Sequence, residues 1–301
     1  WEPLLLQVLS GERPERELQA LVARKGSRYF VNFLLRYARQ LRGPQKDTVL
    51  RLAASHLDVL LVDLRARSPE RRAYALKSLG ALSVTSYRDQ FLEALTDPSL
   101  LVAMNAAQAL ARNYDVSFAD RLLHSLERFD GWSLRYLAAM LASMGSESVE
   151  ILRQAFRDTR RSSRVRAAIA MTLTTLNDIL AVQTAAQVLE TESNTDLIVA
   201  ALGLIDRVGG PDQLSAVRRL LSSSDPAIRA RAVTALARIG SSQDVRHLQA
   251  ALDDSNNWVV IHAVEGLLEM GRKDILEAVA GSDHPRALAA REVLWEGAPD
   301  A

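Results

Sequence analysis

The chain has 301 residues, 48 % of them apolar and only 5 % aromatic, with 37 basic against 36 acidic side chains and a net charge of +1. That is the profile of helices packed through small aliphatic side chains rather than of a sheet, and the balanced charge argues against a general phosphate-tracking surface, so nucleic acid is not the expected partner. Without cysteine there are no disulfides and no thiolate catalysis, and no apolar run approaches the roughly 18 residues a bilayer-spanning helix needs.

Residues 1–67 read as helices out of register with the later repeats. Pro3–Ser10 is a short apolar helix, and Glu12-Arg13-Pro14 opens a second that runs to about Lys25, where Gly26 stops it. Ser27–Leu41 places Phe30, Phe33, Leu34, Tyr37 and Leu41 on one broad apolar face. Gly43-Pro44 is a break, after which Asp47–Leu57 and Asp58–Arg67 form a helix pair.

From Ser68 the chain repeats itself every 31 or 32 residues. Ser68, Ser99, Asp130, Ser162, Asn194, Asp225 and Asn256 are all good helix N-caps. Eleven positions further on stand Leu79, Leu110, Leu141, Leu173, Ile205, Leu236 and Leu267, an apolar column. Fifteen after the cap come Ser83, Tyr114, Gly145, Asn177, Gly209, Gly240 and Gly271, mostly residues that tolerate the left-handed conformation that ends a helix. Between these helices lie first helices centred on Phe91-Leu92-Leu95, Leu122-Leu123-Leu126, Ile151-Leu152-Phe156, Val182-Ala186-Leu189, Leu214-Val217-Leu221 and Val245-Leu248-Leu252, joined by short polar loops. A shorter pair, Lys273–Ala280 and Pro285–Trp295, closes the array. The expectation is an all-α, right-handed α-solenoid of about eight to nine antiparallel helix pairs. It is read as one continuous domain with capping helices at 1–67, regular repeats at 68–271 and a C-terminal cap at 272–301.

The string Asp225–Gly240, DPAIRARAVTALARIG, resembles the second helix of HEAT repeats, in the short variety known from phycobilisome-lyase-like bacterial proteins. The likeness implies a scaffold that binds partners rather than any single chemistry. It also implies a ladder of Asp–Arg pairs between neighbouring repeats. Only Arg72, Arg166 and Arg229 hold the Arg position, with Ala103, Leu134, Ile198 and Val260 elsewhere, so the ladder is expected to be broken.

Nothing points to a reaction centre. His56, His124, His247, His262 and His284 form no metal-binding spacing, so neither a metal nor a cofactor is expected. Phosphate-cradle and nucleophile-elbow motifs are missing. The basic cluster Arg157, Arg160, Arg161, Arg164 and Arg166 reads better as a repeat junction than as an anion site.

In such solenoids the second helices line the concave wall. The residues they turn away from the core are Tyr74, Lys77, Asn105, Gln108, Met171, Arg231 and the paired aromatics Trp132–Tyr136 and Trp258–His262, each pair one helical turn apart. Small residues at Ala168, Ala200 and Gly203 would let a peptide or helix approach closely. Exposed Trp and Tyr are typical interface anchors; the alternative is that these aromatics fill space between repeats. Trp1 and Trp295, at the two ends, read as cap packing or as tags of a boundary. The expected function is a non-enzymatic scaffold for a protein or peptide on this surface. Alternatives are a HEAT-like DNA-binding or DNA-repair protein, of which Trp132, Arg135 and Tyr136 offer a faint echo, and a bilin-attaching protein. Opening on Trp1 rather than Met suggests the soluble part of a membrane-anchored accessory protein, cytoplasmic or facing the cytoplasm.

Overall fold

The computed structural model describes residues 1–22, 26–38, 40–82 and 87–296, and all regular structure among them is helical. Lys25, Ser83 and the closing residues 297–301 lie outside the described residues. The chain divides into two compact units, Trp1–Phe129 and Asp130–Ala301.

In the first unit α1 (Glu2–Leu9), α2 (Glu15–Ala20), α3 (Ser27–Ala38) and α4 (Gly43–Ala54) close around the fully buried Leu5, Leu18, Phe30, Leu34, Val49 and Leu52. Helix α4 starts at the expected break rather than at Asp47. Gly43, at φ +59°, reverses the chain, and Pro44 then sits in the first turn, where its missing N–H costs nothing. Next, α5 (Leu57–Leu64) pairs with α6 (Pro69–Ala81), α7 (Arg88–Ala94) pairs with α8 (Leu100–Arg112), and α9 (Ala119–Ser125) comes after them. Helices α6 and α8 meet backbone to backbone. A Cβ on Gly80 would lie 2.5 Å from the Ala109 Cβ and 2.9 Å from its Cα.

The second unit is a regular array. Second helices α10 (Leu134–Ala142), α12 (Ser163–Thr175), α14 (Thr195–Val208), α16 (Pro226–Ile239) and α18 (Asn257–Glu269) stack side by side. From α12 onward each is paired with the first helix before it: α11 (Val149–Arg157), α13 (Val182–Thr191), α15 (Leu214–Leu220) and α17 (Val245–Ala251). The antiparallel pair α19 (Lys273–Ala280) and α20 (Ala287–Glu296) ends it. Close stacking is a consequence of side-chain size: Ala167, Ala170, Ala201, Ala232, Ala235 and Ala263 are all fully buried. The aliphatic column is buried as well, with Leu141, Leu173, Ile205, Leu236 and Leu267 at 0 % exposure. Each such side chain contributes about 1.5–3 kcal/mol of transfer free energy.

Six of the seven expected caps begin helices, and the Ser68, Ser162, Asn194, Asp225 and Asn256 side chains accept from backbone N–H groups of the first turn. Asp130 does not. Gly131, costly inside a helix, comes next in the chain, and α10 starts only after Ser133, so Trp132 precedes the helix that carries Tyr136. The closing column is corrected in part. Gly145, Asn177 and Gly271 are left-handed at φ +77°, +55° and +73°, but Gly209 and Gly240 are not. Gly240 is extended, at φ −75° and ψ 179°, and is needed for a different reason: a Cβ there would lie 2.4 Å from the Leu236 carbonyl oxygen.

The three ladder arginines all find acids. Arg72 makes two hydrogen bonds of 2.9 Å to Asp97 and donates to the Ala66 and Arg67 carbonyls. Arg229 repeats this with Asp254 and the Ser223 and Ser224 carbonyls. Arg166 reaches Glu192 and the Phe156 carbonyl. Where an apolar residue holds the Arg position, the gap is bridged from the other side in two repeats. Arg128 donates back to the Leu95 and Asp97 carbonyls, and Arg286 to that of Asp254. A second set of pairs, Arg153–Asp178 and Arg218–Asp244, ties successive first helices.

Candidate interaction surface

The outward positions of α6 and α8 carry Tyr74, Lys77, Asn105 and Gln108. Lys77 is exposed and the other three are half-buried. Asn105 returns its amide to the Leu101 carbonyl of its own helix, at 2.8 Å. Tyr74 and Lys77 open onto a cleft of about 540 Å³ whose opposite wall is α3 and the N-terminal Trp1, with Tyr29, Phe33 and Arg36 in its lining. Trp1 packs edge-on against Phe30 at 5.1 Å and lies 5.7 Å from Phe33, the cap packing expected of it. The Tyr74 hydroxyl is inaccessible, lies beside Ser78 and Asn32, and has no hydrogen bond of normal geometry among the described residues. Burial pushes its pKa above the ordinary phenol value.

This cleft is not legible in the sequence. Periodicity puts Phe33 on the core face of α3, and neither Tyr29 nor Arg36 belongs to any column. A larger cleft of about 1100 Å³ lies between α5 and α7, but its central arginines Arg71 and Arg72 are committed to Asp63 and Asp97.

In the second unit the aromatic pairs form as expected, although Trp132 lies outside the helix. The Trp132 and Tyr136 rings are 5.2 Å apart, and the Trp132 carbonyl accepts from Arg164. Trp258 is 66 % exposed and stacks on His262 at 6.2 Å, whose Nδ1 lies 3.1 Å from Glu265. Met171 and Arg231 are half-buried between these pairs. The small-sided trough expected at Ala168, Ala200 and Gly203 is not open. Ala168 and Ala200 are buried, and Arg231 folds across Gly203 to pair with Asp206 at 3.0 Å, which also meets Arg238. At Gly203 the missing Cβ leaves the space that the Arg231 side chain of the neighbouring helix takes. Trp295 is 85 % exposed, without the expected cap packing among the described residues.

The basic cluster is a repeat junction. Arg157 donates to Thr184, Arg160 to Asp158, Arg164 to Trp132 and Arg166 to Glu192. Among the described residues no three His, Asp or Glu side chains are grouped to hold a metal ion, and no helix is long and apolar enough to cross a membrane.

Residues 57–142 and 182–269, together more than half of the chain, match the family model of HEAT repeats. No curated protein matches the sequence significantly. Among solved structures the chain is similar to the CpcE–CpcF complex of phycocyanin lyase from Nostoc sp. PCC7120, at 17 % identity over 81 % of this chain and 89 % of that one, with a TM-score of 0.38. It is also similar to human deoxyhypusine hydroxylase, at 16 % identity over 85 % and 99 %, TM-score 0.37. A third is the karyopherin Kap121p bound to the extreme C-terminus of the protein phosphatase Cdc14p, at 16 % identity over 87 % of this chain but 40 % of that one, TM-score 0.40.

Proposed function

This chain belongs to the HEAT-repeat family, and on that footing we propose that it is a non-enzymatic scaffold that binds a protein or peptide along the outward faces of its second helices. The observation that carries this reading is how the few aromatic residues divide. Five of the six phenylalanines are buried, whereas no tryptophan or tyrosine among the described residues is. A ring with a polar edge is suited to an interface that is apolar when covered and wet when free. Trp132, Tyr136 and Trp258 stand partly or largely exposed on or beside second helices, and a preformed helical surface needs little ordering on association.

Photo-crosslinking tests the reading. A benzophenone amino acid at Ala139 or Glu265, both exposed on second helices, should capture a defined protein in the source cell, and one at Gln187, exposed on first helix α13, should not. Capture from Gln187 alone would place the working face on the other helices. Duplex DNA at low salt should give no salt-dependent binding, because the arginines of the densest basic cluster are paired within the fold.

A further inference from the structure

The two units differ in charge. Trp1–Phe129 carries 19 Lys and Arg against 14 Asp and Glu, and Asp130–Ala301 carries 18 against 22. Within the basic unit, the cleft between α3 and α6 carries two of those cations and no carboxylate in its lining. Arg36 and Lys77 line it, both exposed, and neither is in an ion pair among the described residues. Helix α3 contains no acidic residue, and α6 has only Glu70, in its first turn beside Ser68. Of the three carboxylates on neighbouring α1 and α5, Glu2 accepts from the Tyr37 hydroxyl, Asp63 is held by both Arg28 and Arg71, and Asp58, exposed in the first turn of α5, is not in the cleft lining. The undescribed residues of this unit, 23–25, 39 and 83–86, include no Asp or Glu. The rest of the wall is apolar or aromatic except for the neutral Asn32 and Ser78, and the inaccessible Tyr74 hydroxyl still lacks a partner of normal geometry.

We propose that this cleft binds an acidic linear peptide, one of whose apolar side chains packs against Trp1, Phe33 and Tyr74 while an adjacent carboxylate meets Arg36 and Lys77. The cleft volume of about 540 Å³ falls within the range of about 300–1,000 Å³ typical of sites that enclose a small ligand or a few side chains. A cation pair bordered by apolar surface selects against neutral and basic peptides through the desolvation of its unpaired charges. A nucleic-acid strand is the poorer fit, because a phosphate backbone needs cations repeated along its path. The positions equivalent to Tyr74 and Lys77 on the next second helix are the neutral Asn105 and Gln108, so the cation is not repeated there.

The inference rests on the scaffold reading but can fail separately from it. The experiment is fluorescence anisotropy of the full chain with a fluorescein-labelled twelve-residue peptide alternating Glu with Leu and Phe. Two matched peptides carry Gln or Lys in place of every Glu, and a labelled dT12 strand is the fourth probe. Saturable micromolar binding of the Glu peptide is expected, at least tenfold weaker for the Gln and Lys peptides. The Arg36→Glu/Lys77→Glu protein should lose it at least tenfold, and Arg36→Lys/Lys77→Arg should retain it. Both positions are exposed, so circular dichroism of these variants should match the parent. Gln187→Ala, on the exposed face of first helix α13, should leave the peptide's affinity unchanged. Equal affinity for the Glu and Gln peptides, tighter binding of dT12, or indifference to the charge reversal overturns the acidic-peptide assignment. If the Glu peptide fails while Ala139 or Glu265 still captures a protein partner, the cleft assignment falls and the scaffold reading stands.

Discussion

Arg229 meets Asp254 through two parallel hydrogen bonds of 2.7 and 2.8 Å, across 25 residues of sequence and between consecutive repeats. Both side chains are nearly buried, 14 % and 13 % exposed, and the same guanidinium also satisfies two carbonyls. Removing the arginine leaves a carboxylate in low-dielectric surroundings. Arg229→Met should therefore cost about 3 kcal/mol, the lower end for breaking a buried pair. Arg160→Ala removes a cation that is 89 % exposed and should change stability negligibly. Urea denaturation followed by circular dichroism measures both, and equal midpoints for the two variants would refute the distinction.

The same pairs set the acid limit. Hydrogen bonds from Arg229, Arg218 and Thr195 hold Asp254, Asp244 and Asp225, respectively, below the ordinary carboxylate pKa. At Asp97 burial pushes upward, but Arg72 and the Ser99 N–H outweigh it. A depressed carboxylate stabilises the fold fully above its unfolded value, about 3.9. That contribution is lost as pH falls through the lower folded value. These groups should therefore leave stability level from pH 7 to 5 and reduce it steeply below about pH 4. Asp254→Asn should flatten that acid limb in urea titrations at stepped pH; an unchanged limb would show that Asp254 plays no part in it.

Local signals of the fold are readable in the sequence where one residue has one physical job. Caps, apolar columns and helix breaks are of this kind, and they locate six of seven second helices. Asp130 misleads because a good cap residue with Gly131 after it cannot begin a helix as cheaply as Ser133 can. The ladder partners are present in the sequence without standing out. Two positions before each cap stand Asp97, Glu192 and Asp254, and each comes after a repeat that carries the arginine. The cleft at Tyr74 is invisible there because its far wall, Trp1 and α3, belongs to the part of the chain that obeys no repeat. The trough fails for a related reason. Gly203 is small, yet its neighbour Arg231 decides whether the space is open.

Gly80 shows how little room the stacking leaves. With a Cβ there 2.5 Å from that of Ala109, Gly80→Ala must push α6 and α8 apart. The gain of about 1 kcal/mol in helix propensity is smaller than the overpacking cost of about 1–3 kcal/mol. The change should therefore be neutral to destabilising by about 2 kcal/mol. A rise in the urea midpoint would mean that the two backbones are not in contact.

Trp258 separates an interface from a space-filler. The ring is 66 % exposed on α18, whereas Leu267 of the same helix is completely buried. If Trp258 only filled space between repeats, Trp258→Ala would destabilise the fold as a core truncation does. An exposed ring predicts a change within about 0.5 kcal/mol, against about 2–5 kcal/mol for Leu267→Ala. An interface anchor adds a second expectation. With a partner captured from second-helix positions, Trp258→Ala should weaken its binding by about 2 kcal/mol, close to thirtyfold. Calorimetric titration of that partner, beside urea denaturation of the same variant, reads both quantities. Loss of stability without loss of affinity would make Trp258 a packing residue and move the binding face elsewhere.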